Sequence, residues 1–297
     1  ANAKLLGLGN DYVQRDRDRL AAVSAARAMA AAARTYHRRG LTIVVVGDAT
    51  QLYDKLLAIA PVRLLNVDGK PITPADLHPT ASTLHFDPSQ IVSRSDSFQF
   101  VVQGKPLGTQ LSSIRRSADS LVYQETLTLP MGLGSQQTTV VFDPITLSVR
   151  QVDQTGTVRG QASAIHLTYG GGRAKGTASI PQPPPATAPR SITIDTAVSA
   201  TTYDDNALRV LMPALPLAVG ASFNIQTFSA GDGATRLITL KVAAQDTIAV
   251  PAGTFPAYRV EMSGGSQDVV FHVSVAAPRR VLKIEPVGTP VSIELVK

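Results

Sequence analysis

VPAGTFPAYRVE, residues 250–261, sets alternating apolar residues on either side of Pro251, Ala252 and Gly253. Proline presets the backbone angle for a tight turn and glycine tolerates the angle that closes it, so the stretch reads as strand, turn, strand. The pattern spreads in both directions. TRLITLKVAA (235–244), DTIAV (246–250), VVFHVSV (269–275) and RRVLKIE (279–285) are short β-rich runs parted by turn residues. Upstream, SFQFVVQ (97–103), TQLSSIRR (109–116), SLVYQETLTL (120–129), QTTVVFD (137–143), TLSVRQV (146–152), SAIHLTY (163–169) and SITIDTAV (191–198) continue it. Such spacing predicts antiparallel strands, and a sheet of this many curves around an apolar side. The proline-rich PQPPPATAP (181–189) cannot donate to a ladder and is expected to be a loop. DDNALRVLMPAL (204–215) is expected to hold a short helix.

Before about residue 78 the character differs. Leu20, Val23, Ala26, Ala30 and Ala33 recur at steps of three and four, which predicts two helices over 11–37 with Ser24 as the N-cap between them and Gly40 as the stop. The apolar run Leu41–Val46 then reads as a buried strand, QLYDKLLAIA (51–60) as a short helix with Asp48 at its start, and VRLLNV (62–67) as a second strand closed by the turn DGKP. The expected organisation is therefore α+β: a small α/β segment over 1–78, then a mainly antiparallel, curved, half-barrel-like β domain over 79–297 containing the loop 181–189.

Composition narrows the classes. The chain is 44% hydrophobic and 17% charged, with a net charge of +6 and no cysteine, so thiol chemistry, thiolate metal sites and disulfides are excluded. No apolar run approaches the roughly 20 residues that a membrane-spanning helix needs. Residues 1–40 hold eight Lys or Arg against three Asp. No recognition element or stacking aromatics accompany that charge, so no nucleic-acid partner is expected. Asp16, Asp18 and Arg27 interrupt the basic and apolar stretches around LAAVSAARAMAAAA, which favours an ordinary helix over a targeting segment.

Catalytic patterns are missing from the sequence. One glycine in GDATQL cannot cradle a dinucleotide, and GGGRAKGT (170–177) puts Lys175 before Gly176, where a phosphate loop needs Gly-Lys-Ser/Thr; a hairpin is the better reading. The five histidines, His37, His78, His85, His166 and His272, stand at least seven positions apart, so neither H-E-x-x-H nor its inverse exists. A site assembled from His78, His85 and Asp76 or Asp87 would need the fold to gather them. GLGSQ and GQASA both miss the serine-hydrolase elbow.

Two resemblances attach to these residues. Val23, Ser24, Ala33, Arg34, Tyr36, Leu41 to Asp48, Pro61, Val62, Asp68 and Gly69, within residues 5–72, resemble the closing segment of insulinase- or pitrilysin-like zinc peptidases. That resemblance implies the non-catalytic C-terminal portion of a secreted or periplasmic peptidase homologue, a scaffold or substrate-binding region. It also implies zinc only in an upstream domain, and an upstream peptidase domain or peptidase subunit as partner. Leu215 to Gly220, Val250 to Phe255, Tyr258 to Glu261 and Ala277 to Arg280 resemble a bacterial extracytoplasmic β domain of unknown function, related to the half-barrels of lipoprotein carriers. It implies the alternative reading, a module binding an apolar ligand or lipid. There the helix carrying Leu208, Val210, Leu211, Met212, Leu215 and Leu217 would be a lid or a permanent plug. Tyr203 and Arg209 would stand at the mouth and Arg279 or Arg280 would add charge, so the candidate ligand residues are Tyr203, Arg209, Leu211, Arg279 and Arg280. No catalytic or metal residue is expected.

Overall fold

The computed structural model describes residues 7, 9, 11–35, 42–67, 69–130 and 133–297. Ala1–Leu77 and His78–Lys297 form separate compact units. In the first, α1 (Tyr12–Ala21) and α2 (Ala25–Thr35) flank Ser24, whose Oγ accepts the Arg27 N–H at 3.3 Å. This is the expected cap. α3 (Ala49–Leu57) starts on Asp48, whose carboxylate accepts the Thr50 N–H at 3.0 Å. Tyr36, His37, Gly40, Leu41 and Asp68 lie outside the described residues.

The strand expected over Leu41–Val46 is not formed. Residues 42–46 belong to no ladder, and Ile43, Val44 and Val46 are 75%, 81% and 94% exposed. The second expected strand shrinks to the bridge Leu65↔Pro71. An apolar, β-branched run favours extended backbone, but its N–H and C=O groups need a neighbouring strand. The described part of this unit offers none, so the α/β segment is replaced by helices and irregular chain.

The second unit makes the protein mainly β rather than α+β. Its strands are β1 (Arg94–Val102), β2 (Lys105–Arg116), β3 (Leu121–Leu129), β4 (Gly134–Phe142), β5 (Val149–Val158), β6 (Gln161–Gly170), β7 (Arg173–Ile180), β8 (Arg190–Ala197), β9 (Thr202–Asp204), β10 (Ser222–Ser229), β11 (Ala234–Val250), β12 (Gly253–Ser263), β13 (Val269–Ser274), β14 (Val281–Pro286) and β15 (Val291–Leu295). They form one 15-stranded sheet in the order 8-7-6-5-4-3-2-1-15-14-13-12-11-10-9. Sequence neighbours pair antiparallel, β9 alone runs parallel to β10, and the first and last strands, β1 and β15, pair in the middle of the sheet. β8 and β9 are consecutive yet unpaired, so the sheet remains open there.

Turn chemistry fixes this meander. Val250 pairs with Gly253 across Pro251 and Ala252, as the opening stretch predicts. Gly171 and Gly172, with φ of 58° and 72°, join β6 to β7, which makes GGGRAKGT a hairpin. Gly176 is needed for a different reason: a Cβ there would lie 1.8 Å from the His166 carbonyl oxygen. Register shifts at Phe100/Val101, Val141/Phe142, Val242/Ala244 and His272/Val273 add twist and bend the sheet around its apolar face. On that inner face Ile114, Tyr123, Val140, Val152 and Leu167 form a cross-strand row of buried residues, and the next row is polar: Asp96, Ser112, Glu125, Thr138 and Gln154.

Candidate functional site

The space inside the curved sheet is filled by the segment that follows β9. Asp204 caps it by accepting the Asn206 N–H at 2.9 Å, and α4 (Leu208–Leu211) continues into a 3-10 turn at Met212–Ala214. Leu208, Val210, Leu211, Met212, Leu215 and Leu217 are all buried in the main core. Backbone anchors hold the segment from below: Arg279 Nη1 donates to the Leu215 carbonyl at 2.9 Å, and the Asp87 N–H donates to the Ala214 carbonyl at 2.7 Å. The cavity left between segment and sheet, lined by Arg94, Asp96, Phe98, Ser112, Tyr123 and Arg209, measures about 10 Å³. That is room for one water.

The five candidate ligand residues do not converge on one site. Tyr203 is buried in β9, edge-on to Phe86 with ring centroids 5.5 Å apart. Leu211 is 2% exposed, in the middle of the filling segment. Arg209 points inward, donating to Glu125 Oε2 at 2.9 Å and lying over the Phe98 ring at 4.1 Å, while its Nη2 is buried without a protein acceptor. Arg279 braces the segment from outside. Arg280 lies 3.4 Å from Asp96 Oδ1 and 5.9 Å from the Phe255 ring. Four of the five thus have their side chains engaged in holding the core together, and Leu211 is part of that core.

The open edge between β8 and β9 is bridged by side chains. Thr196 Oγ donates to the Gly233 carbonyl and Arg190 Nη2 to the Gly231 carbonyl, each at 3.0 Å, and the Tyr169 hydroxyl donates to Asp204 Oδ2. Asp204 is fully buried. Burial raises its carboxyl above the ordinary value, against the lowering effect of the Tyr169 and Asn206 bonds. Sequence reasoning missed Glu125, Tyr169 and Asp204. Alternation in SLVYQETLTL puts Glu125 on the same side as Tyr123, the one available signal for the first.

A raised folded-state pKa fixes the sign of the pH dependence. Asp204 keeps its proton in the fold above the pH at which the unfolded chain loses it, so this contribution is complete below about pH 4 and declines as pH rises through the folded value. Asp204→Asn is expected to remove that decline. Urea midpoints measured between acid and neutral pH should show the variant gaining on wild type as pH rises; parallel curves would refute the assignment.

His78 and His85 are exposed, and the carboxylates proposed to join them are engaged in turns: Asp76 accepts from Thr73, and Asp87 from Ser89 and Gln90. No group of His, Asp or Glu that could hold a metal lies together among the described residues. The fold defines one open, mostly antiparallel 15-stranded sheet whose apolar face is packed as core. The chain belongs to the family described as a protein of unknown function, DUF3108, whose model matches residues 83–296. No curated protein matches it. Among solved structures it is similar to the beta-barrel-like protein of domain of unknown function DUF1849 from Brucella abortus, at 10% identity over 70% of this chain and 97% of that one, with a TM-score of 0.45.

These findings overturn the peptidase reading. No peptidase family is found, and the family that is shown, over residues 83–296, is one of unknown function, so residues 5–72 are not assigned to a peptidase lobe. The physical reason is visible in the structure: LTIVVVGD carried the resemblance as a core strand, and its described part is exposed chain. The alternative, an extracytoplasmic β half-barrel module binding an apolar ligand or lipid, agrees better with a β domain of this family than the peptidase reading does.

Proposed function

We propose that the β unit is a non-enzymatic extracytoplasmic binding module with a permanently filled interior, which meets its partners through its outer surface. One observation carries this reading: Leu208, Val210, Leu211, Met212, Leu215 and Leu217 are all buried in the interior, and the cavity beside Arg209 measures about 10 Å³ where an acyl chain would need a pocket of hundreds of Å³. The anchors from Arg209, Arg279 and Asp87 add to it, because moving the segment would break all of them together. The absence of cysteine makes the fold indifferent to an oxidising compartment.

An apolar ligand inside the sheet is the competing reading, and the two part in one measurement. The full chain, titrated with a fluorescent fatty acid at micromolar concentration, is expected to show no saturable uptake. Saturable uptake that displaces the segment would defeat the filled-interior reading.

A further inference from the structure

The outer face of β1–β5 carries few charges, Arg115, which donates to Gln124, and Asp153 among them, in a chain with 28 Lys or Arg and 22 Asp or Glu. Its central cross-strand row runs Ser97, Leu111, Thr126, Gln137, Thr155. The row on one side begins Ser95, Ser113, Gln124, Thr139, and its first charge is Asp153, already bonded to His166 Nδ1. The row on the other side, from Gln99 through Thr128 to Thr157, has no charge until it crosses onto β15. There the same row becomes Glu294, Lys283, His272 and Arg259. Across the β1–β15 pairing this row therefore changes from hydroxyl and amide groups to ionic ones.

Along the neutral rows lies an open groove of about 450 Å³, lined by Ser95, Ser97, Leu111, Ser113, Gln124 and Thr126 among others, with Lys297 at its rim. Hydroxyls and amides both donate and accept, and so match a ligand whose groups do the same. Phosphate, sulfate or carboxylate polymers would call for a cluster of Arg or Lys that these rows lack. Leu111, 58% exposed in the middle of the groove, offers an apolar spot to the C–H face of a sugar ring. Geometry adds a register: neighbouring strands lie about 4.8 Å apart, close to the length of one hexose unit. A glycan crossing the strands at right angles would meet one side chain of each row per sugar.

We propose that the outer face of β1–β5 binds an uncharged polysaccharide laid across the strands, with Leu111, Thr126 and Gln137 at the centre of the contact. The proposal rests on the reading that the module works through its outer surface. Native affinity electrophoresis of the full chain tests it, in gels containing dextran, hydroxyethyl cellulose or laminarin, with alginate as the anionic control. Retardation in at least one neutral gel and none in alginate is expected. For a polymer that retards it, defined oligosaccharides should bind more tightly with length up to about five units, the number of strands crossed, given one unit per strand spacing. Leu111→Asp and, separately, Thr126→Lys should each weaken binding at least tenfold while leaving melting unchanged, since both positions are exposed. No retardation in any neutral gel, retardation in alginate alone, or binding untouched by both variants would overturn the proposal. Fatty-acid uptake would instead defeat the filled-interior reading, so the two failures are distinct.

Discussion

Replacing Leu211 with Asp is expected to destabilise the β unit strongly rather than to free a lid. Leu211 is 2% exposed, and the side chains in its part of the core are apolar. An aspartate there loses the leucine's packing and carries a carboxylate with no assigned cation, because Arg209 is committed to Glu125. Cavity and burial effects of this kind cost roughly 3–5 kcal/mol, which for a unit of this size lowers the melting temperature by roughly 6–20 °C. Leu211→Met, close to volume-conserving, should cost less than about 1.5 kcal/mol. A mobile lid gives the opposite outcome: melting near that of wild type for the aspartate variant, with loss of fatty-acid uptake. Calorimetry of both variants beside the uptake titration separates the two, and an aspartate variant melting with wild type would refute the plug.

Alternation made much of the second unit legible. Runs such as SLVYQETLTL and VVFHVSV carry the pattern without interruption, and turn residues separate them. What stayed hidden had specific causes. β9 has only Thr202–Asp204 and no periodicity to read. β10, SFNIQTFS, mixes polar and apolar residues on both faces, because Phe228 and Thr227 are each buried. β7 was obscured by its one glycine, Gly176, which is demanded by close approach to the His166 carbonyl. β15 pairs with β1 across most of the unit's sequence, a contact no local window contains.

The misreading in the first unit ran the other way. Leu41–Val46 has the composition of a core strand, but burial is decided by what else lies nearby, and the described residues provide no ladder for it. The partners of the candidate ligand residues were hidden for a related reason. The carboxylate that Arg209 meets and the carbonyl that Arg279 meets come from residues 84 and 64 positions away in the chain.

The Arg209–Glu125 pair supplies the second large effect. The side chains are 13% and 17% exposed, and the Tyr123 hydroxyl donates to the same Glu125 oxygen. Burial raises the Tyr123 phenol above its ordinary value, so it remains a donor throughout the accessible pH range. Glu125→Gln keeps the shape but removes the carboxylate paired with the guanidinium. Breaking a buried pair from one side costs roughly 3–5 kcal/mol, because the remaining charge is stranded; residual exposure and the Phe98 ring under Arg209 place this case near the low end. Removing both partners is different. In Glu125→Leu with Arg209→Met no charge stays buried, and such replacements are often neutral or stabilising. The double variant is therefore expected to recover most of what Glu125→Gln loses, and the cycle of single and double variants in urea should show strong coupling. Additive losses, or a Glu125→Gln variant within about 1 kcal/mol of wild type, would mean that the pair does not hold the filling segment in place.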